Sequence, residues 1–290
     1  VTGVQTCALP ICDDGYGLKR LPITLMTPPA VWRCDLSADA STRIARRRDR
    51  GQEISGQMRQ RFDEDAAARY EAWYETPEGQ RADQLEKAAL SQMLAAFPQG
   101  RTALEVGCGT GHFTRWLDEE GWAATGLDIS PPMLKQAQVS GGRRLVRGDA
   151  SRLPFADRAF DVSLIITTLE FLPEPAAAVR EALRVCRCGL VLGVLNQCSI
   201  LGIRRRLAGL FRQTVYDDAR FYSVIGLRRL LDRAAPRDGV LNWVTTLYPT
   251  AWPFSQQWGW WGGFIAMAFG LDESREAAAS PPHRDHTTRI

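Results

Sequence analysis

From Thr102 onward, short apolar runs alternate with amphipathic stretches. Thr102–Val106 reads as a strand and Gly111–Glu120 as a helix. Ala123–Leu127 reads as a strand, Pro131–Gln138 as a helix opened by proline, and Arg144–Val146 as a strand. Phe160–Ile166 is rich in β-branched residues and predicts a strand. Pro175–Val185 predicts a helix and Leu190–Leu195 a strand. Residues 197–234 read as helical, with a loop near Gln213–Asp218. Val240–Leu247 and Phe264–Phe269 read as the last two strands. This rhythm predicts an α/β fold: a doubly wound sheet, mainly parallel, with an antiparallel last strand.

Upstream, residues 58–74 predict a helix carrying Phe62, Tyr70, Trp73 and Tyr74, broken at Thr76-Pro77. Residues 79–97 predict a second helix with Leu85, Ala89, Met93 and Leu94 on one face, ended by Pro98 and Gly100. Residues 1–57 show no sustained period. Their first eleven, VTGVQTCALPI, resemble a translated sequencing-library adapter. The expectation is a non-native or disordered leader over 1–57, a natural start at Met58, one domain over 58–271 and a frayed tail over 272–290.

Composition narrows the class. The chain has 290 residues, 45% hydrophobic and 24% charged, as expected of a globular protein rather than a disordered or multi-span one. The apolar run Trp258–Leu271 holds four glycines and is shorter than the ~18 residues a membrane span needs. Net charge is +3. Setting aside 1–57 leaves 28 basic and 27 acidic residues, a charge of +1 that argues against nucleic acid. Seven cysteines in no zinc-like spacing predict free thiols in the cytoplasm.

The chemistry concentrates after the predicted strands. Leu104-Glu105-Val106-Gly107-Cys108-Gly109-Thr110-Gly111-His112 places three glycines where a strand must turn into a helix. Glycines there let the backbone approach a ligand, and the helix N–H groups face the same crevice. A dinucleotide fingerprint would have glycine at the position of His112. Asp128 follows the second strand and Asp149 the third, one strand–helix unit apart. All three acids fall at the carboxyl edge of neighbouring strands, where such sheets bind ligands.

The G-x-G-x-G with an acid two residues ahead, together with Asp128, Asp149, Leu153-Pro154-Phe155 and Phe160-Asp161-Val162, resembles the class I S-adenosylmethionine (SAM)-dependent methyltransferases. The resemblance implies a Rossmann-like fold, SAM as cofactor and a small-molecule methyl acceptor. It implies that Gly107, Cys108, Gly109 and Gly111 shape the methionine end and that Glu105 acts on the amino group. It further implies that Asp128 holds the ribose, Asp149 and the Ala150 N–H the adenine, and that Ile129 and Met133 pack on adenine and ribose. Met133 reads equally well as core. Tyr74 could lid the cofactor, whereas Trp73 reads as a staple to the sheet.

No general base is evident. Glu170 is the one weak catalytic candidate, and reads more readily as a solvated helix-start acid. His112 reads as a neighbour of the site. Cys186 and Cys188 read as thiols straddling a helix end and a strand start, and Arg204–Arg206 as a solvated face. The N-terminal helix, Glu170–Pro173 and Ser199–Tyr222 are expected to build the acceptor pocket. Trp243, Trp252, Phe254 and Trp258–Trp261 suit an apolar or aromatic acceptor. Two other functions remain: an NAD(P)-dependent oxidoreductase and a non-catalytic SAM-binding module.

Overall fold

A computed structural model describes residues 62–199, 219–234, 240–248 and 261–271. The predicted leader and tail lie outside them, as do Arg204–Arg206, Trp252, Phe254, Trp258 and Trp260. Two helices, α1 (Glu64–Tyr74) and α2 (Pro77–Leu94), precede β1 (Thr102–Val106). Then come α3 (His112–Glu119), β2 (Ala123–Asp128), α4 (Pro131–Val139), β3 (Leu145–Arg147) and β4 (Phe160–Ile166). A 3-10 turn (Leu169–Phe171), α5 (Pro175–Val185), β5 (Cys186–Leu195), α6 (Val224–Ala234), β6 (Val240–Thr246) and β7 (Phe264–Gly270) complete the order.

Among the described residues the strands form one sheet ordered β3-β2-β1-β4-β5-β7-β6. Neighbours from β3 to β5 run parallel, and β7 runs antiparallel to both β5 and β6. The chain winds outward through β2 and β3, then returns to place β4 beside β1. That reversal opens a crevice at the carboxyl ends of β1 and β4.

The two-residue strand period sorts side chains onto two faces. Leu104, Ile165, Leu190, Leu192, Ile265 and Met267 pack with Ala178, Val179, Ala182, Leu227 and Leu231 of α5 and α6. Ala103, Val162, Leu164, Val191, Phe264 and Ala266 pack with Leu90 and Met93 of α2 and Phe113, Trp116 and Leu117 of α3. The sheet is therefore buried on both sides, the usual condition of a parallel sheet.

Caps explain where the first boundaries fall. Helix α1 begins at Glu64, later than the residue 58 expected, because the Asp63 carboxylate accepts the Ala66 N–H at 2.8 Å. Thr76 caps α2, so Pro77 opens that helix rather than lying in a break before Gly79. Residues 219–223 are not helical, which corrects the expectation for 197–234; residues 200–218 of that stretch lie outside the described ones.

Strand β5 starts at Cys186, earlier than the expected Leu190. Cys186 therefore both caps α5 and opens the strand, and Cys188 lies on the strand. A long-range contact draws this stretch into the sheet: Arg187 pairs with Asp161 at the start of β4. Asp161 also accepts the Arg101 and Thr102 N–H groups at 2.9 Å each and the Thr102 hydroxyl at 2.8 Å, tying β4 to the start of β1. Burial alone would raise its carboxyl, but these donors overcome it and hold the group at about 2. A depressed carboxyl contributes stability above its unfolded value, and the contribution is lost as pH falls from about 4 through 2. Asp161→Asn should cost about 2 kcal/mol at pH 7 and less than about 1 kcal/mol at pH 2.5. Urea denaturation at the two pH values measures this, and an equal penalty at both would contradict it.

Candidate active site

The turn after β1 is built on backbone conformations that favour glycine. Gly107, Gly109 and Gly111 have φ of 78°, 53° and 72°. The Gly107 and Cys108 N–H groups both donate to the Leu127 carbonyl, at 2.6 and 2.9 Å, which fastens the turn to the end of β2. On its other side, the Thr168 hydroxyl shares its one proton between the Gly107 carbonyl at 3.0 Å and the Ile166 carbonyl at 2.9 Å. A Cβ on Gly107 would lie 2.2 Å from Thr168 Cγ2, so side-chain volume is excluded there as well.

Asp128 closes the turn. One carboxylate oxygen accepts the Gly109 N–H and the other the Ser130 N–H, both at 2.8 Å. Burial raises its carboxyl despite these bonds. Glu105, 2% exposed, accepts the Thr114 hydroxyl of α3. Burial pushes its carboxyl up to about 8, against the opposing Thr114 bond. Cys108 lies beside these two acids, and burial first, then their charges, push its thiol well up. It remains a neutral, inert lining group.

The Gly148 N–H donates to the Asp128 carbonyl at 3.0 Å, so Asp149 emerges next to Asp128 along the sheet edge. Asp149 is exposed, and its Oδ1 accepts the Ser151 N–H and hydroxyl at 2.8 Å each. Ala150 is buried beside it and Ile129 is half-buried. Glycine turn, Glu105, Asp128 and Asp149 thus occupy one edge of β1, β2 and β3.

A family model, Methyltransferase domain, matches residues 104–192. An uncharacterized protein of Mycobacterium tuberculosis is 36% identical over 167 residues, 57% of this chain and 56% of its own length. A demethylmenaquinone methyltransferase of Roseiflexus sp. (strain RS-1) is 37% identical over 115 residues, 37% of this chain and 48% of its own. The chain spans about half the length of these two relatives. A solved SAM-dependent methyltransferase, possible histamine N-methyltransferase, from Thermotoga maritima is 27% identical with a TM-score of 0.58, covering 73% of this chain and 99% of that one. Residues 104–192 are a methyltransferase domain, on the fold of the class I SAM-dependent methyltransferases.

In this protein the N-terminal helices are fastened to the glycine turn. His112 Nε2 meets Asp83 Oδ1 of α2 at 2.6 Å, and its ring stacks on Tyr74 at 3.7 Å. The Tyr74 phenol, pushed well up by burial, meets the Tyr70 hydroxyl at 3.1 Å. Tyr74, open as a lid residue on sequence, is held in this aromatic stack with Trp73 at its edge. Arg115 donates to the Thr110 carbonyl at 2.7 Å and reaches Glu71 of α1 at 3.5 Å.

Ahead of α1, the Phe62 carbonyl accepts the Ser130 hydroxyl at 2.6 Å, while the Phe62 ring meets Phe171 edge-on at 5.3 Å. Phe62 thereby touches the turns after β2 and after β4, which flank the end of β1. Met133 is 4% exposed and packs with Ala66 and Ala67 of α1; its sulfur lies 4.0 Å from where a Gly109 Cβ would stand. Core and site backing are thus one position.

Glu170 departs from the expectation of a solvated acid. It is 2% exposed in the 3-10 turn after β4, and its Oε1 accepts the Leu195 N–H at 2.7 Å. The last rung between β4 and β5 is the Thr167 N–H on the Gly193 carbonyl. Thr167, at φ 45°, then turns the chain away, and the Glu170 carboxyl supplies the acceptor that β4 no longer offers. Of the expected aromatic acceptor wall, Trp243 is half-buried against the core and Trp261 is exposed.

Sequence reasoning missed Thr168, Phe62 and the Asp83–His112 pair. All three act across long sequence separations and carry no local signature. Ser130 was legible, since a serine before Pro131 is a helix-cap pattern.

The two outer contacts of the turn predict unequal costs for the same substitution. Gly107→Ala should destabilise by more than about 3 kcal/mol, from left-handed strain plus overpacking on Thr168. Gly109→Ala would meet only the Met133 sulfur, at an ordinary 4.0 Å, and should cost only about 1 kcal/mol of backbone strain. Urea denaturation of both variants measures the difference, and equal penalties would contradict the assignment.

Proposed function

We propose that the protein transfers the methyl group of SAM to a small-molecule acceptor in the cytoplasm. The observation that carries this reading is the Asp128 carboxylate, bonded to the Gly109 N–H at the switch point and flanked by Glu105 and Asp149. Three acids with no compensating cation in that group suit a ligand bearing hydroxyls, an amino group and a positive charge. SAM has all three.

Asp128 has acceptor lone pairs left for two vicinal ribose hydroxyls after taking two N–H groups. Asp149 and the Ala150 N–H would pair with the adenine edge, with Ile129 and Met133 against its faces. Gly107, Cys108, Gly109 and Gly111 would lie along the methionine end, and Glu105 would balance its ammonium. SAM supplies an activated sulfonium, so the chain's residues mainly position, desolvate and exclude water. The Phe62 crossing and the fastened helices α1 and α2 serve that exclusion. The acceptor reading, an apolar or aromatic small molecule and no nucleic acid, is supported by near-zero charge, by Phe62 and Phe171 beside the crevice, and by a quinone-methylating relative. A reducing compartment suits the buried free thiols of Cys108 and Cys186.

Calorimetric titration tests the reading. SAM should bind and NADH should not, and Asp128→Ala should weaken SAM binding about 30-fold through lost charged hydrogen bonds. Binding of NADH alone would favour an oxidoreductase. SAM binding without methyl transfer to any acceptor would favour a binding module.

The pH dependence follows from Glu105. Its folded carboxyl holds a proton up to about pH 8, and an ammonium partner favours the ionised form. Binding must then release a proton, so SAM affinity should rise about tenfold between pH 6 and 7.5. Glu105→Gln should flatten that rise to less than twofold. A wild-type affinity independent of pH over this range would remove Glu105 from the ammonium site.

A further inference from the structure

The second oxygen of Glu170 is buried and without a hydrogen-bond partner among the described residues. Such an orphan in a native site calls for an explanation. Capping Leu195 explains only Oε1, and an uncharged acceptor such as glutamine would cap equally well. A carboxyl is the costlier choice, since burial penalises its charge.

Its position supplies a reason. Glu170 stands two residues after Thr168, whose hydroxyl grips the Gly107 carbonyl. The turn carrying Glu170 is thus clamped to the turn assigned here to the methionine end of the cofactor. The stretch just before α6 is fixed to it too. The Arg220 N–H donates to the Glu170 carbonyl at 2.8 Å, and the Tyr222 hydroxyl donates to the Leu169 carbonyl at 3.1 Å. The Leu195 N–H and Tyr222 stand beside the carboxyl, and Phe171, next in the chain and half-buried, meets Phe62 edge-on, so an aromatic pair belongs to the same turn.

We propose that the free oxygen of Glu170 receives the methyl acceptor, taking first the hydrogen bond and then the proton of a hydroxyl on an aromatic ring. The proposal rests on the methyl-transfer reading and names the acceptor chemistry of that site. As the ring oxygen forms its bond to the methyl carbon, the carbon–sulfur bond breaks. The bonding pair goes to sulfur, leaving S-adenosylhomocysteine (SAH), and the hydroxyl proton goes to Glu170. A neutral hydroxyl suits the place better than an ammonium, which would set two cations together beside the sulfonium. Burial raises the carboxyl to about 7, against the Leu195 bond, so it can hold or release a proton near neutrality.

The test uses SAH-saturated full-length protein titrated with p-cresol and with 4-methylanisole, which has the same ring but no hydroxyl proton. At pH 8 the phenol should bind about tenfold more tightly. Glu170→Gln keeps an acceptor for the Leu195 N–H. It should bring the ratio below twofold while leaving SAH affinity unchanged. In the wild type the ratio should grow from pH 6 to pH 8 as the carboxyl ionises. Of the other ionisable groups beside it, burial pushes the Tyr222 phenol upward, out of this range, and Arg220 is a guanidinium.

A wild-type ratio near one, no p-cresol binding to the SAH-saturated protein, or a preference that survives Glu170→Gln would each overturn the proposal. Should the variant fail to fold, a wild-type ratio flat from pH 6 to 8 overturns it equally. Failure of the protein to bind SAH at all is a different result, and contradicts the methyl-transfer reading itself.

Discussion

The Asp128 carboxylate holds two turns at once. Its bonds to the Gly109 and Ser130 N–H groups join the loop after β1 to the loop after β2. Charge-assisted bonds of this kind contribute about 1.5–3 kcal/mol each, while burying the charge costs a comparable amount. Burial outweighs them, which is why the carboxyl is raised rather than depressed. The glycine turn is thus held in place by a group that still favours further donors. Glu105 and Glu170 are raised for the same reason, at the same edge of the sheet. Arg115, whose charge partly offsets the burial of Glu105, is itself bonded to the Thr110 carbonyl and reaches Glu71. An edge with three under-compensated acids is arranged for a ligand that brings the missing positive charge.

The other side of that arrangement is exclusion of water. Helices α1 and α2 are docked through polar groups that bear on the glycine turn itself: Asp83 on His112 and Glu71 on Arg115. Phe62 adds a contact at each side of β1. A change in the position of these helices would therefore be felt at the turn through short, direct contacts. Thr168 performs the corresponding task on the β4 side, so both walls of the crevice are referenced to the same few backbone atoms.

Much of this was legible in the sequence because it is local. The bounds of β1, β4 and α5 follow from apolar period, β-branching and proline placement, and the glycine spacing marked the turn. The acids at the ends of β1, β2 and β3 were legible because parallel winding returns each strand to the same edge. What escaped depended on distant partners. Cys186 to Cys188 joined a strand because Arg187 reaches Asp161. Glu170 looked solvated because nothing near it in sequence reveals that β4 leaves Leu195 without an acceptor. Its burial is a consequence of topology. Thr168 and Phe62 carry no motif, and their roles exist only once β1 and β4 are neighbours.

Asp128 is held to do two things with one carboxylate: organise the glycine turn and receive the ribose. A crystal structure of the SAH complex tests this most directly. Both ribose hydroxyls should lie within about 3 Å of the Asp128 oxygens, with the Gly109 N–H still bonded to the carboxylate. A ribose bound elsewhere, or one that gains Asp128 only by breaking its bond to Gly109, would contradict the account.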